Sequence, residues 1–131
     1  MVLIYLIVNA ISYIGFSLWC LFKPNTTAES LGFGFLNNSG KAEYLSVYTG
    51  LEMGFGIFLA LSAYYPKLRM AGLLFCVCIY AGLMIVRPIA ALCYGNVSKI
   101  TYIIGAVEYV FGIWGIIILV MKMKESSAEL F

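Results

Sequence analysis

Three charged side chains in this sequence stand alone inside long apolar runs: Glu52, Arg87 and Glu108. In lipid, two carboxylates and a guanidinium have a short chemical repertoire. Arg87 and one glutamate make two parallel charge-assisted hydrogen bonds. The surplus glutamate then shares the arginine, retains a proton beside a like charge, or faces a bound cation. Leaving such a group near the centre of a membrane helix costs roughly 2.5–3.5 kcal/mol on insertion scales, so an intramembrane charge points by default to a functional site. The same cluster also serves, with no ligand, to fix helix register. Both readings stand at this level.

The elements that hold these residues follow from composition. The 131 residues are 63% hydrophobic and 11% charged, against about 25% charged in soluble domains; the mean hydropathy is +1.00. Four apolar runs, at 2–22, 44–65, 70–94 and 100–121, are each long enough to cross a hydrocarbon core of about 30 Å. None alternates as a barrel strand would. The expected fold is therefore all-α: an integral membrane four-helix bundle forming a single transmembrane domain over residues 1–131. The first run lacks a basic segment before it and reads as a retained helix rather than a signal peptide.

Counting from the surface nearest the first and third loops, Glu52, Arg87 and Glu108 each lie about 10 to 12 Å deep at 1.5 Å per residue. One layer of the bundle thus receives acid, base and acid, with Tyr48 and Tyr80 on the same helix faces. Asn9, Ser12, Tyr13 and Ser17 of the first helix bracket that layer. Small residues flank the charges. Gly105, Glu108, Gly112 and Gly115 share a stripe on the fourth helix, and Gly50, Gly54 and Gly56 lie around Glu52 on the second, so close helix packing is expected at both. Tyr80, Met84, Arg87, Ala91 and Tyr94 line up on the third helix. Pro88 removes an N–H and frees the Met84 carbonyl, which predicts a kink or a local polar partner.

Other chemistry is sparse. The sequence holds neither histidine nor aspartate, which argues against histidine-held haem, histidine-ligated zinc and a Ser-His-Asp triad; no cofactor and no metal site is expected. Cys76 and Cys78 face different ways on a helix and read as packing residues. Cys20 and Cys93 both lie near the surface of the first and third loops, where an oxidising compartment would allow a bridge. Thr26-Thr27-Ala28-Glu29 has capping-box spacing and predicts a short interfacial helix near 27–34. Asn25, Asn37 and Asn96 head sequons too close to the membrane to assign glycosylation. Lys67, Arg69, Lys122 and Lys124 lie on one side, against Lys23, Lys41 and Lys99 on the other, a lean towards cytoplasmic termini. No basic tail suggests nucleic-acid binding.

The chain as a whole resembles a family of small bacterial membrane proteins known only as a domain of unknown function. The stretches that carry the resemblance are Phe16–Gly32 (FSLWCLFKPNTTAESLG), Lys41–Phe58 (KAEYLSVYTGLEMGFGIF), Ala81–Ile89 (AGLMIVRPI) and Glu108. The resemblance implies a four-helix fold and a bacterial inner membrane, without an activity. In size and layout the chain is also similar to the four-helix scaffold that gathers sterol-synthesis enzymes in the endoplasmic reticulum, an analogy for an accessory role.

Three function classes follow. The leading one is an accessory or scaffold subunit, or a binder of lipid or a small molecule, whose partners are membrane lipid and another membrane protein or a second copy. The alternative is a proton-coupled exporter of cationic compounds, resembling the small four-helix multidrug transporters, although those carry their acid on the first helix and this first helix has none. A lipid-acting enzyme ranks last, because no nucleophile stands out beyond ordinary serines and tyrosines.

Overall fold

The computed structural model describes residues 1–129, and among these every regular element is helical. Helix α1 is Val2–Phe22, α2 Pro24–Ser30 and α3 Asn38–Leu45; α3 runs through a π-helical turn, Ser46–Leu51, into α4, Glu52–Tyr64. A 3₁₀ turn at Pro66–Leu68 leads to α5, Arg69–Tyr94, and α6 is Lys99–Glu129. Among the described residues, four helical stretches have the length and apolarity to cross a membrane: Val2–Phe22, Asn38–Tyr64, Pro66–Tyr94 and Lys99–Glu129. Helices satisfy their own backbone groups, which is what a hydrocarbon solvent demands of a spanning segment. Ile4, Ile11, Val86, Ile89, Ile103 and Val110 are among many large apolar side chains left exposed. In water they would form an adhesive surface; in lipid they are solvated.

Two helix ends differ from the sequence expectation. The second spanning helix begins at Asn38 rather than Tyr44, because the Asn37 side chain accepts the Gly40 N–H at 2.9 Å and caps a polar first turn. The fourth runs past Met121 to Glu129, its polar end carrying a Lys122–Glu125 ion pair of 2.7 Å. The interfacial helix also forms three residues earlier than its capping-box spacing suggests. Pro24 occupies its first position, and Thr27 lies inside it, bonding back to the Lys23 and Pro24 carbonyls.

Contacts divide the chain into two compact units, Leu3–Arg69 and the part from Met70 onward together with Met1–Val2. In the first, α1 and α4 cross closely at Gly56. A Cβ there would lie 2.5 Å from Ile14 Cγ1, 3.1 Å from the Ile14 backbone nitrogen and 3.3 Å from the Ala10 carbonyl oxygen. Tyr13 meets Phe55 edge to face at 5.8 Å, and Ser17 Oγ lies 3.7 Å from Met53 Sδ. Gly56, Leu59 and Ala63, spaced three and four apart, are the buried side of α4.

The same unit carries an aromatic cluster at the loop end of its helices. Gly32, at φ +86°, ends α2: Phe33 N–H reaches the Ala28 carbonyl at 2.8 Å and Gly32 N–H the Glu29 carbonyl at 3.0 Å. This paired closure turns the chain back on the helix. Phe33 then packs edge-on against Tyr44 and Tyr48, at 5.8 and 5.6 Å, and Phe35 against Tyr44 at 5.2 Å. Tyr44 donates to Thr27 Oγ1 at 3.0 Å, which ties α2 to α3.

Candidate functional site: an ion pair between two membrane helices

In the second unit α5 and α6 run antiparallel, and the faces that meet are set by residue size. Gly112 lies under Tyr80 and Met84: a Cβ on it would be 3.1 Å from Tyr80 Cβ and would collide with Met84 Sδ. Gly105 lies under Arg87, whose Cδ would be 3.1 Å from a Cβ. Both glycines and Gly115 are buried. Only residues without a Cβ let these helix surfaces approach so closely.

That approach brings Arg87 and Glu108 together. Arg87 Nε donates to Glu108 Oε2 and Arg87 Nη2 to Glu108 Oε1, both at 2.6 Å. The fork-to-fork geometry is the strongest arrangement open to these two groups. The side chains are 30% and 12% exposed, respectively. Both carboxylate oxygens are engaged by one guanidinium, so the charges cancel where they are introduced.

Pro88 follows Arg87 inside α5. Its ring removes the N–H that would otherwise bond the Met84 carbonyl, and Tyr109 Oη donates to that carbonyl at 2.8 Å. Tyr109 was not among the residues singled out from the sequence. Its signal was its place next to Glu108, one residue around the helix that carries the ion pair. Tyr80 is buried, its ring tilted 30° to Phe111 at 6.0 Å.

The remaining candidates belong to the other unit. Glu52 is the first residue of α4, half-buried, immediately after the π-helical turn. Wide turns of this kind recur at functional sites. Thr49 Oγ1, in that turn, is buried with no hydrogen-bond partner among the described residues. Tyr48 stacks on Tyr44 at 4.6 Å and 25°, within the aromatic cluster. Asn9 is buried, its amide donating to the Tyr5 carbonyl at 2.8 Å, and Tyr13 is half-buried against Phe55.

Four of the expected placements are corrected. Ser12 lies on the exposed side of α1, where its hydroxyl donates to the Val8 carbonyl at 2.8 Å, so it does not line an interior layer. Gly50 and Gly54 are exposed, and a Cβ on either would meet nothing within 4 Å. The wider π turn shifts helix phase between Gly50 and α4, whereas Gly54 lies within α4 on the side opposite Gly56, through which that helix packs instead. Cys20 and Cys93 do not form a bridge: both are free thiols, Cys93 exposed and Cys20 buried with its Sγ 3.8 Å from Tyr44 Oη.

The chemistry available at Arg87 and Glu108 is charge compensation and helix pairing. Among the described residues no group of histidine, cysteine and acidic side chains has the proximity to hold a metal. Comparison with curated proteins and with solved structures finds no match to the chain. A family pattern does match, over residues 1–119. The chain therefore belongs to the family described as Domain of unknown function (DUF4345).

Proposed function

We propose that this helical membrane protein works by binding rather than by turnover, as an accessory or scaffold subunit that holds a membrane partner or a lipid. The observation that carries this reading is the closed Arg87–Glu108 pair: two of the three intramembrane charges neutralise each other within one hairpin. A group so engaged is a poor general acid or base, which needs a free proton site within hydrogen-bond reach of a substrate. It is a good clip, holding two helices in one register while their outer faces stay apolar. The bacterial inner membrane, with both termini cytoplasmic, is part of the same proposal; the family resemblance supports the membrane, and the placement of Lys67, Arg69, Lys122 and Lys124 supports the orientation.

The test is purification of the native complex in mild detergent or nanodiscs, followed by native mass spectrometry of wild type and Glu108→Gln. A stoichiometric partner or lipid on the wild type, diminished in the variant, is the expected result. A bare monomer from both would sink the accessory role.

One observation favours a second reading, proton-coupled export of cationic compounds. Glu52 follows a π turn whose buried Thr49 hydroxyl has no hydrogen-bond partner among the described residues, and such turns mark functional positions in helices. Under this reading Glu52→Gln abolishes amine-driven proton release from proteoliposomes, and unchanged release removes the idea.

A further inference from the structure

A groove of about 440 Å³ opens at the loop end of the first unit, built from none of the residues of the Arg87–Glu108 pair and independent of the role proposed for it. Its walls come from three segments: Asn25, Ala28 and Glu29 of α2, Phe33–Phe35 of the strap after Gly32, and Asn37, Asn38 and Lys41 at the start of α3. Its size falls within the range of about 300–1,000 Å³ typical of small-molecule sites.

The walls are held before any ligand arrives. The Tyr44–Thr27 hydrogen bond at 3.0 Å fixes α2 against α3. The Gly32 closure and the Phe33 and Phe35 contacts with Tyr44 fix the strap. The Asn37 cap at 2.9 Å fixes the first turn of α3. Preorganised walls lower the entropy cost of binding.

Depth sets the kind of ligand. The apolar run of α1 ends at Phe22, the groove residues follow from Asn25 to Lys41, and the next apolar run begins at Tyr44. The groove therefore sits at headgroup level, where polar and apolar surfaces meet.

Charge sets its chemistry. The groove carries one cation, Lys41, at the positive end of a helix that runs on to Tyr64, and one anion, Glu29, with the amides of Asn25, Asn37 and Asn38. Lys41 and the helix start favour a phosphate. Glu29 repels a second negative group and accepts hydrogen bonds from an ammonium. A ligand with phosphate alone meets the Glu29 charge, and one with an amine alone meets Lys41. A trimethylammonium has no N–H with which to use Glu29 or the amides. We infer that the groove between α2, the strap and the start of α3 binds a phosphate joined to a primary amine, the zwitterion of a phosphoethanolamine headgroup, whether carried on a lipid or free.

The full chain is reconstituted in nanodiscs of phosphatidylcholine doped equally with phosphatidylethanolamine and phosphatidylglycerol, and the lipids retained after delipidation are counted by native mass spectrometry. Wild type should retain phosphatidylethanolamine over both others. Glu29→Gln should lower its preference over phosphatidylglycerol by about tenfold, the size of one charged hydrogen bond. Lys41→Ala should weaken retention of both phosphatidylethanolamine and phosphatidylglycerol. Glu29 is exposed and Lys41 half-buried, so neither change disturbs the core, and unaltered thermal unfolding checks this. Competition by soluble phosphoethanolamine at the lipid's own affinity would assign the free compound as the source; failure to compete, with lipid retained, would assign the lipid. Equal retention of all three lipids, or variants indistinguishable from wild type, overturns the site.

Discussion

At the scale of single residues, a close ion pair in lipid is more costly to break than to replace. Glu108→Gln leaves the Arg87 guanidinium without its carboxylate, and the penalty for a fully buried pair is about 3–5 kcal/mol. Arg87 is 30% exposed, so a smaller loss, about 2 kcal/mol, is expected in denaturant titration of the detergent-solubilised protein. The double change Arg87→Met with Glu108→Leu removes both charges and should return stability to within about 1 kcal/mol of wild type. If the double variant is as unstable as the single one, the pair is more than a clip and a further polar partner is bound to it. Tyr109 offers a separate reading. Tyr109→Phe strips the donor from the Met84 carbonyl freed by Pro88 and should cost about 1 kcal/mol. In a Pro88→Ala background the helix supplies its own donor and that cost should shrink. A cost unchanged between the two backgrounds would show that the hydroxyl acts elsewhere.

At the scale of elements, glycines that look alike in sequence separate by what their missing Cβ would meet. Gly56→Ala puts a methyl against the Ile14 side chain and backbone, and Gly112→Ala one against Tyr80 and Met84; overpacking of this kind costs about 1–3 kcal/mol. Gly54→Ala meets nothing within 4 Å and should be neutral or slightly stabilising, since alanine is the better helix former. Loss of stability at Gly54 equal to that at Gly56 in the same titration would refute this sorting. The contrast also marks how far the sequence is legible. The four spans could be read from length and hydropathy, because lipid imposes both directly. The face of α6 bearing Gly105, Glu108 and Gly112 could be read too, because uninterrupted α-helical periodicity holds across it. The second spanning helix was harder. A π turn has no residue signature, and it shifts phase between Gly50 and Gly56. The start of that helix was hidden because its first turn, capped by Asn37, is too polar to register as part of a span. In the interfacial segment a sequence match to a capping box lost to Pro24, whose fixed φ suits the first helical position three residues earlier.

At the scale of the whole molecule, the distribution of exposed and buried thiols offers a direct measure of insertion. Cys93 is exposed in the last turn of α5, next to the third loop, whereas Cys20 is buried beside Tyr44 at the level of the first loop. If Lys67, Arg69, Lys122 and Lys124 hold their side in the cytoplasm, the third loop faces outward. A membrane-impermeant maleimide added to intact cells should then label the protein at Cys93, and Cys93→Ser should abolish that label. Cys78 is exposed only along the middle of the same helix, a depth in the hydrocarbon core that an impermeant reagent does not reach. Labelling that appears only after the cells are lysed would mean the opposite insertion, with the headgroup-level groove on the cytoplasmic leaflet. Labelling of Cys93 in sealed cells at about half the level reached after lysis would mean that the sparse basic residues do not choose a side. The balance of four such residues against three makes that comparison worth the control of adding two lysines to the Pro66–Leu68 turn. Strengthening the cytoplasmic charge should leave the outward label of Cys93 in place if the orientation is already fixed, and raise it if it is not.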